Sequence, residues 1–249
     1  MLNVRCLKWA AALVVGLSFS LSALAAPSWN ATGLTVGATD APKVVAAFDT
    51  LFSSKFGREL PGRVVLRANL ADGPNPETHS VLVLGQSVAE REAFQAKLYA
   101  SPEWGQFLET MSTLNPGPGS TMRGSILWNS GDLSDKDVVW INHFLTVSEP
   151  AVLLNAMQTY NATAMGQQAP GQLHLSAVYA GGAGAPSHIV SIGYESEAEM
   201  AAWAQKQQAD PAYRVLVQTM LSVATYHGAT MQRDGKAWGK SAKDAASMK

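Results

Sequence analysis

The chain has 249 residues, with 18 Lys and Arg against 19 Asp and Glu and a formal net charge of −1 at pH 7. Charges of both signs are scattered along it, which excludes the basic footprint of a nucleic-acid partner, and no basic amphipathic helix suggests a membrane surface. The one cysteine, Cys6, sits near the start, so apolar packing rather than disulfides or thiolate-bound metal has to hold the rest together.

In chain order, the first feature is a targeting segment at 1–25. Arg5 and Lys8 precede an apolar run, and Ala23-Leu24-Ala25 supplies a small-residue cleavage site. The expectation is export, periplasmic or secreted, with cleavage near Ala25. Loss of Arg5 and Lys8 then moves the net charge from −1 to −3. No later stretch approaches the about 18 continuous apolar residues that cross a membrane.

The remainder of the chain is written twice. Shifting it by 109 aligns residues 61–111 with 170–220, with 17 identities in 51 positions. At a shift of 111, Trp29 meets Trp140 and Leu34-Thr35-Val36 meets Leu145-Thr146-Val147. This is an internal duplication: a first repeat at 27–128, a polar linker at 129–137, a second repeat at 138–238 and a flexible tail at 239–249.

Each copy reads as β-α-β-β-α-β. In the second, "VVWINHFLTV" is a β-branched and aromatic strand, and Ser148 and Pro150 open a helix expected to run to about Met165. "GQLHLSAVYA" is the next strand, with Leu173, Leu175, Ala177 and Tyr179 on one face. "GGAGAP" makes a hairpin loop and "SHIVSIGY" the third strand. Ser196 then caps a helix with Glu199 in the capping-box position, as Ser87 and Glu90 do in the first copy. Asp210 and Ser101 cap a further helix that starts on Pro211 or Pro102. Its apolar stripe is Trp104, Phe107, Leu108 and Met111, or Tyr213, Leu216, Val217 and Met220. The last strands are expected near 120–128 and 229–238, which leaves His227 in a loop.

Two such units in tandem, with the segment "YESEAEMAAWAQKQQADPAY", resemble the ferredoxin-like dimeric α/β barrel superfamily of antibiotic-biosynthesis monooxygenase and EthD-like proteins. The resemblance implies an α+β fold in which two βαββαβ units form the barrel within one chain. Haem degradation in that superfamily uses an Asn on the first strand, a Trp on the second helix and an iron-ligating His further on. Asn142 and Trp203 match the first two. The His position falls near Val217, or Leu108 in the first copy, and neither ligates iron. No cofactor is expected.

The polar candidates are few. His79 and His188 share one repeat position at the start of the third strand, and are either paired functional groups or residues that satisfy a hairpin end through the backbone. His143 and His174 occur only in the second copy. His174 lies on the face opposite Leu173 and Leu175, the face that carries Arg63 and Arg67 in the first copy. If the apolar face packs on helices, this mixed face lines the space between the sheets and could orient a ligand. His143, His174 and His188 lack the spacing of a metal set. No G-x-S-x-G, P-loop or H-E-x-x-H motif occurs.

The sequence therefore points to an exported barrel that binds a small apolar or aromatic molecule without catalysis, through Arg67, Asn142, His143, His174, Trp203, His79 and His188. It would be a pseudo-dimeric monomer or a weak homo-oligomer. The alternatives are a cofactor-independent monooxygenase acting on an aromatic or enolisable substrate, and an assembly protein that uses exposed sheet edges.

Overall fold

The alternation of buried side chains along each strand sends one set toward the helices and the other into a closed tube. The computed structural model describes residues 26–245 except Pro74, Gln86, Asn115, Pro116, Pro118 and Asp132. The expected targeting segment and the last four residues lie outside the described residues.

The first repeat contains β1 (Ser28–Leu34), α1 (Ala41–Ser53), β2 (Arg63–Ala71), β3 (His79–Gly85), α2 (Val88–Tyr99), α3 (Pro102–Leu114) and β4 (Thr121–Asn129). The second contains β5 (Val139–Val147), α4 (Pro150–Asn161), β6 (Leu173–Ala180), β7 (His188–Tyr194), α5 (Glu197–Ala209), α6 (Pro211–Val223) and β8 (Ala224–Gly239). A one-turn α7 (Ala242–Ala245) completes the described chain. The eight strands close in the order β1-β3-β2-β8-β5-β7-β6-β4.

Each half is a four-stranded sheet, β4-β1-β3-β2 and β8-β5-β7-β6, and the tube closes where β2 meets β8 and β4 meets β6. Both seams carry register shifts, at Leu66/Arg67 and Asn69/Ala71 on one and at Arg123/Gly124 and Ile126/Trp128 on the other. Such bulges add the local bend that closure needs.

Helices cover the outside. In the first copy α1 and α3 bury Val44, Phe48, Leu51, Phe107 and Met111 over Leu66. In the second, Leu153 and Met157 of α4 pack with Val223 at the end of α6 over Leu145, Leu175 and Val190. The caps are in place: Ser87 Oγ and Ser196 Oγ each accept from the N–H three residues on at 3.1 Å. Ser101 Oγ accepts from Trp104 N and Asp210 Oδ1 from Tyr213 N.

Several boundaries differ from expectation. Helix α4 ends at Asn161, because Thr163 Oγ1 donates to Tyr160 O and accepts from Gly166 N, which turns the chain into a short 3₁₀ segment. Glu149 rather than Ser148 is its N-cap, and Ser148 Oγ donates instead to Val223 O. Strand β8 begins at Ala224, so His227 is a strand residue. The β-forming Thr225 and Tyr226 extend the pairing along β5 (Leu145↔Tyr226, Thr146↔Thr225), and Gly228 at φ +122° absorbs the shift. Leu108 is 49% exposed, so the α3 stripe is narrower than its spacing suggests. The linker and tail are not wholly loose: Leu133 and Ala245 are buried with Trp29 and Ile126 at one end of the tube. There Asp135 Oδ1 accepts from Ala242 N.

One glycine position is fixed by close approach in both copies. A Cβ on Gly62 would fall on the carbonyl oxygen of Leu84, and one on Gly171 on that of Gly193. Gly62→Ala or Gly171→Ala is expected to cost 2 kcal/mol or more, at about the upper range for overpacking. Gly105→Ala, on the exposed face of α3 with open space around it, is expected to gain about 0.5–1 kcal/mol. Urea denaturation midpoints of the three variants measure both effects.

Candidate functional site

The inward-facing side chains leave a cavity of about 390 Å³, within the range of small-molecule sites. Its walls are chemically divided. Strands β1, β3 and β4 contribute Ala31, Leu82, Leu84, Met122 and Ile126, joined by Phe144 and Ile189. Strands β2, β5, β6 and β8 contribute Arg67, Asn69, Asn142, His174, Gln232 and Asp234.

The polar wall is largely tied together. Asn142 Nδ2 donates to Gln232 Oε1 at 3.1 Å, while Asn142 Oδ1 accepts from Ser191 Oγ at 2.7 Å. Gln232 Nε2 donates onward to Asn69 Oδ1 and Ser80 Oγ. These bonds lock Asn142 and Gln232 in one orientation and connect the two halves across the β2–β8 seam. Arg67 Nε lies 2.7 Å from Asp234 Oδ1, yet neither atom has a well-aligned hydrogen bond. The contact is an ion pair held by charge rather than by bond geometry. The Arg67 guanidinium also sits over the Trp140 ring, 5.1 Å from its centre.

His174 is the exception in this network. It is 4% exposed, its ring lies 5.4 Å from that of Trp140, and neither ring nitrogen has a hydrogen-bond partner among the described residues. Burial, aided by the Arg67 charge, lowers its pKa to about 3. The imidazole is therefore neutral, with one nitrogen a donor and the other an acceptor, and leaving both unpaired costs about 1–3 kcal/mol for each group.

Of the residues singled out from the sequence, the structure brings Arg67, Asn142 and His174 together in the cavity wall. The other four stand elsewhere. His143 alternates with Asn142 and faces outward, its Nδ1 3.4 Å from Tyr226 Oη. Trp203 is buried beneath α5 with Val139 and Tyr194, outside the tube. His79 and His188 are also outside. Each Nδ1 meets the hydroxyl of the preceding residue, Thr78 at 2.9 Å and Ser187 at 2.8 Å. That hydroxyl accepts from the backbone N–H of Val36 or Val147. This repeated relay pins the third strand to the end of the first, through a hydroxyl rather than through the backbone bond expected. Burial lowers the pKa of all three outward histidines.

Trp29, Trp140, Gln232 and Asp234 line the site without having been singled out. The two tryptophans had a signal in their shared repeat position, two residues before Ala31 and Asn142 on the inward face. Among the described residues, no cluster of three His, Cys, Asp or Glu side chains suits a metal ion. Leu108 and Val217, where the resemblance would place a haem ligand, do not line the cavity, and neither side chain can ligate iron.

The tube is shared with solved structures of low identity. A provisionally named monooxygenase from Lactobacillus acidophilus superposes with a TM-score of 0.60 at 10% identity, over 86% of this chain and 96% of its own. A protein of the same provisional name from Fusobacterium nucleatum gives 0.59 at 9% identity, over 87% and 96%. An anthrone oxidase-like protein gives 0.56 at 13%, over 88% and 94%. The likeness is one of fold, the dimeric α/β barrel, here built from two repeats of one chain. No protein-family model and no curated protein matches the sequence.

Proposed function

We propose that this protein is an exported small-molecule-binding barrel that takes up an apolar or aromatic molecule and performs no catalysis of its own. The carrying observation is the cavity of about 390 Å³, whose wall holds a neutral, unpartnered His174. An apolar ligand body buries surface against Leu82, Met122 and Ile126. A hydroxyl or carbonyl on it satisfies the imidazole and removes the cost of leaving that group unpaired. Export is supported by the order of charge, apolar run and Ala23-Leu24-Ala25 in the sequence, and an intact mass lacking 1–25 from the source cell tests it.

A second reading is a cofactor-independent oxygenase, favoured by the names of the structural neighbours. It needs a base to ionise the substrate, and an imidazole with its pKa near 3 is a weak one. Binding is the better-supported role.

Isothermal titration with 2-naphthol tests this. The wild type is expected to bind it, and His174→Leu to bind about tenfold more weakly, the worth of one hydrogen bond. His143→Leu, on the outer face, is expected to bind as the wild type does. No binding by the wild type, or a loss with His143→Leu and none with His174→Leu, overturns the reading.

A further inference from the structure

The duplicated tryptophan position has diverged between the copies. Trp140 and Trp29 both face the cavity, and each ring is laid where only a glycine leaves room. A Cβ on Gly193 would press on Trp140, and one on Gly124 would overlap Trp29. The indole N–H of Trp140 is spent, donating to Asp137 O at 3.1 Å. That of Trp29, on a residue only 6% exposed, has no acceptor among the described residues. Trp29 on β1 thus holds one unpaired donor and His174 on β6 an unpaired imidazole, both in residues that line the cavity. Only β4 separates these strands, and along it Trp29 stands opposite Gly124 and His174 opposite Asn129, so the two groups are well apart.

Both arginines of the cavity are already matched. Arg67 lies against Asp234 and Arg63 against Asp135, at 2.7 and 2.6 Å. An anionic ligand would have to break one of these pairs or stay uncompensated in a desolvated site.

From this we propose that the ligand is an uncharged aromatic molecule with oxygen atoms on two separated edges, a carbonyl or ether oxygen accepting from Trp29 Nε1–H and a hydroxyl or carbonyl bonding His174. This rests on the cavity being a ligand site, and adds which end of the ligand meets which wall. Trp29 discriminates between ligands that share one aromatic body and differ in the acceptor on the far edge. The apolar wall selects flatness, and the Trp29 donor selects direction.

Four naphthalenes separate the possibilities by titration: 2-naphthol, 2-acetylnaphthalene, 6-acetyl-2-naphthol and 6-hydroxy-2-naphthoate. The wild type is expected to bind 6-acetyl-2-naphthol about tenfold more tightly than 2-naphthol, for one added hydrogen bond, and 6-hydroxy-2-naphthoate at least tenfold more weakly than its neutral analogue. Trp29→Phe is expected to abolish the preference for the acetyl group, and His143→Leu, on the outer face, to retain it. If Trp29→Phe fails to fold, the wild-type indole N–H resonances serve instead. The Trp29 signal is expected to move downfield with 6-acetyl-2-naphthol and to stay in place with 2-naphthol, and the Trp140 signal to stay in both. Equal affinities for 2-naphthol and 6-acetyl-2-naphthol, or tightest binding of the carboxylate, overturn this inference and leave the binding role standing. No binding of any of the four overturns both.

Discussion

Between pH 7 and pH 5 the folded protein is expected to lose about 2 kcal/mol of stability through His174 alone. In the unfolded chain this imidazole takes up its proton near pH 6.5. In the fold its pKa is held down to about 3 by burial and by Arg67. Between those values the unfolded state binds more protons, so stability rises with pH and falls as the medium is acidified, at about 1.4 kcal/mol per unit once well below 6.5. His79, His143 and His188, lowered by burial, pull in the same direction. Asp72 and Asp137, raised mainly by burial, pull in the opposite one as pH falls toward the carboxylate range. The comparison is therefore best confined to pH 5–7.5. Urea midpoints of the wild type and of His174→Leu isolate the one group. The variant, which also removes two unpaired buried nitrogens, is expected to be no less stable at pH 7 and to show a slope shallower by about 2 kcal/mol over the interval. Parallel slopes would show that the imidazole of the native state reaches water.

Arg67→Met is expected to destabilise the fold by about 3 kcal/mol, and the double variant Arg67→Met/Asp234→Leu to recover most of that loss. The pair spans the β2–β8 seam, and the side chains are 10% and 17% exposed. Removing one partner strands the other charge in a poorly solvated wall, at a cost of about 3–5 kcal/mol, whereas replacing both with apolar groups is often neutral. The lower figure is used because Asp234 keeps some water and because the contact lacks an aligned hydrogen bond. The single variant also uncovers the face of Trp140. A double-mutant cycle in urea gives the coupling directly. A double variant as unstable as the single one would mean that Arg67 acts through packing of its stem and not through charge.

The barrel was legible because its evidence is periodic and doubled. Two capping boxes in register and two proline-started helices fix the same element twice, and a strand face that reads apolar in both copies has to meet helices. The mixed face emerged by subtraction, which placed Arg67, Asn142 and His174 together. What escaped depends on partners that no local pattern encodes. The sequence around Asp234 looks like a turn in a closing strand, and only the seam with β2 brings it to Arg67. His143 and His174 are equal as single-copy histidines, but their parity along the strands puts one against Tyr226 and the other inside. Trp203 matched a superfamily position and is nonetheless packing, because the sheet lies between it and the cavity. The tail was read from its polar composition, while Ala245, small enough to seat at the tube's end, is fully buried.

The two seams set an order of events during synthesis. β2 is complete by Ala71, but its outer edge pairs with β8, the last of the eight barrel strands to leave the ribosome. The edge of β4 likewise waits for β6. A growing chain that has made the first repeat therefore carries two unpaired strand edges for as long as the second takes to appear, a state open to pairing with another nascent copy. Closure joins segments more than 150 residues apart, so it comes late and slowly. Under the proposed export, that delay is useful: a tube that cannot shut until its final strand arrives stays in a form that can still be threaded across a membrane.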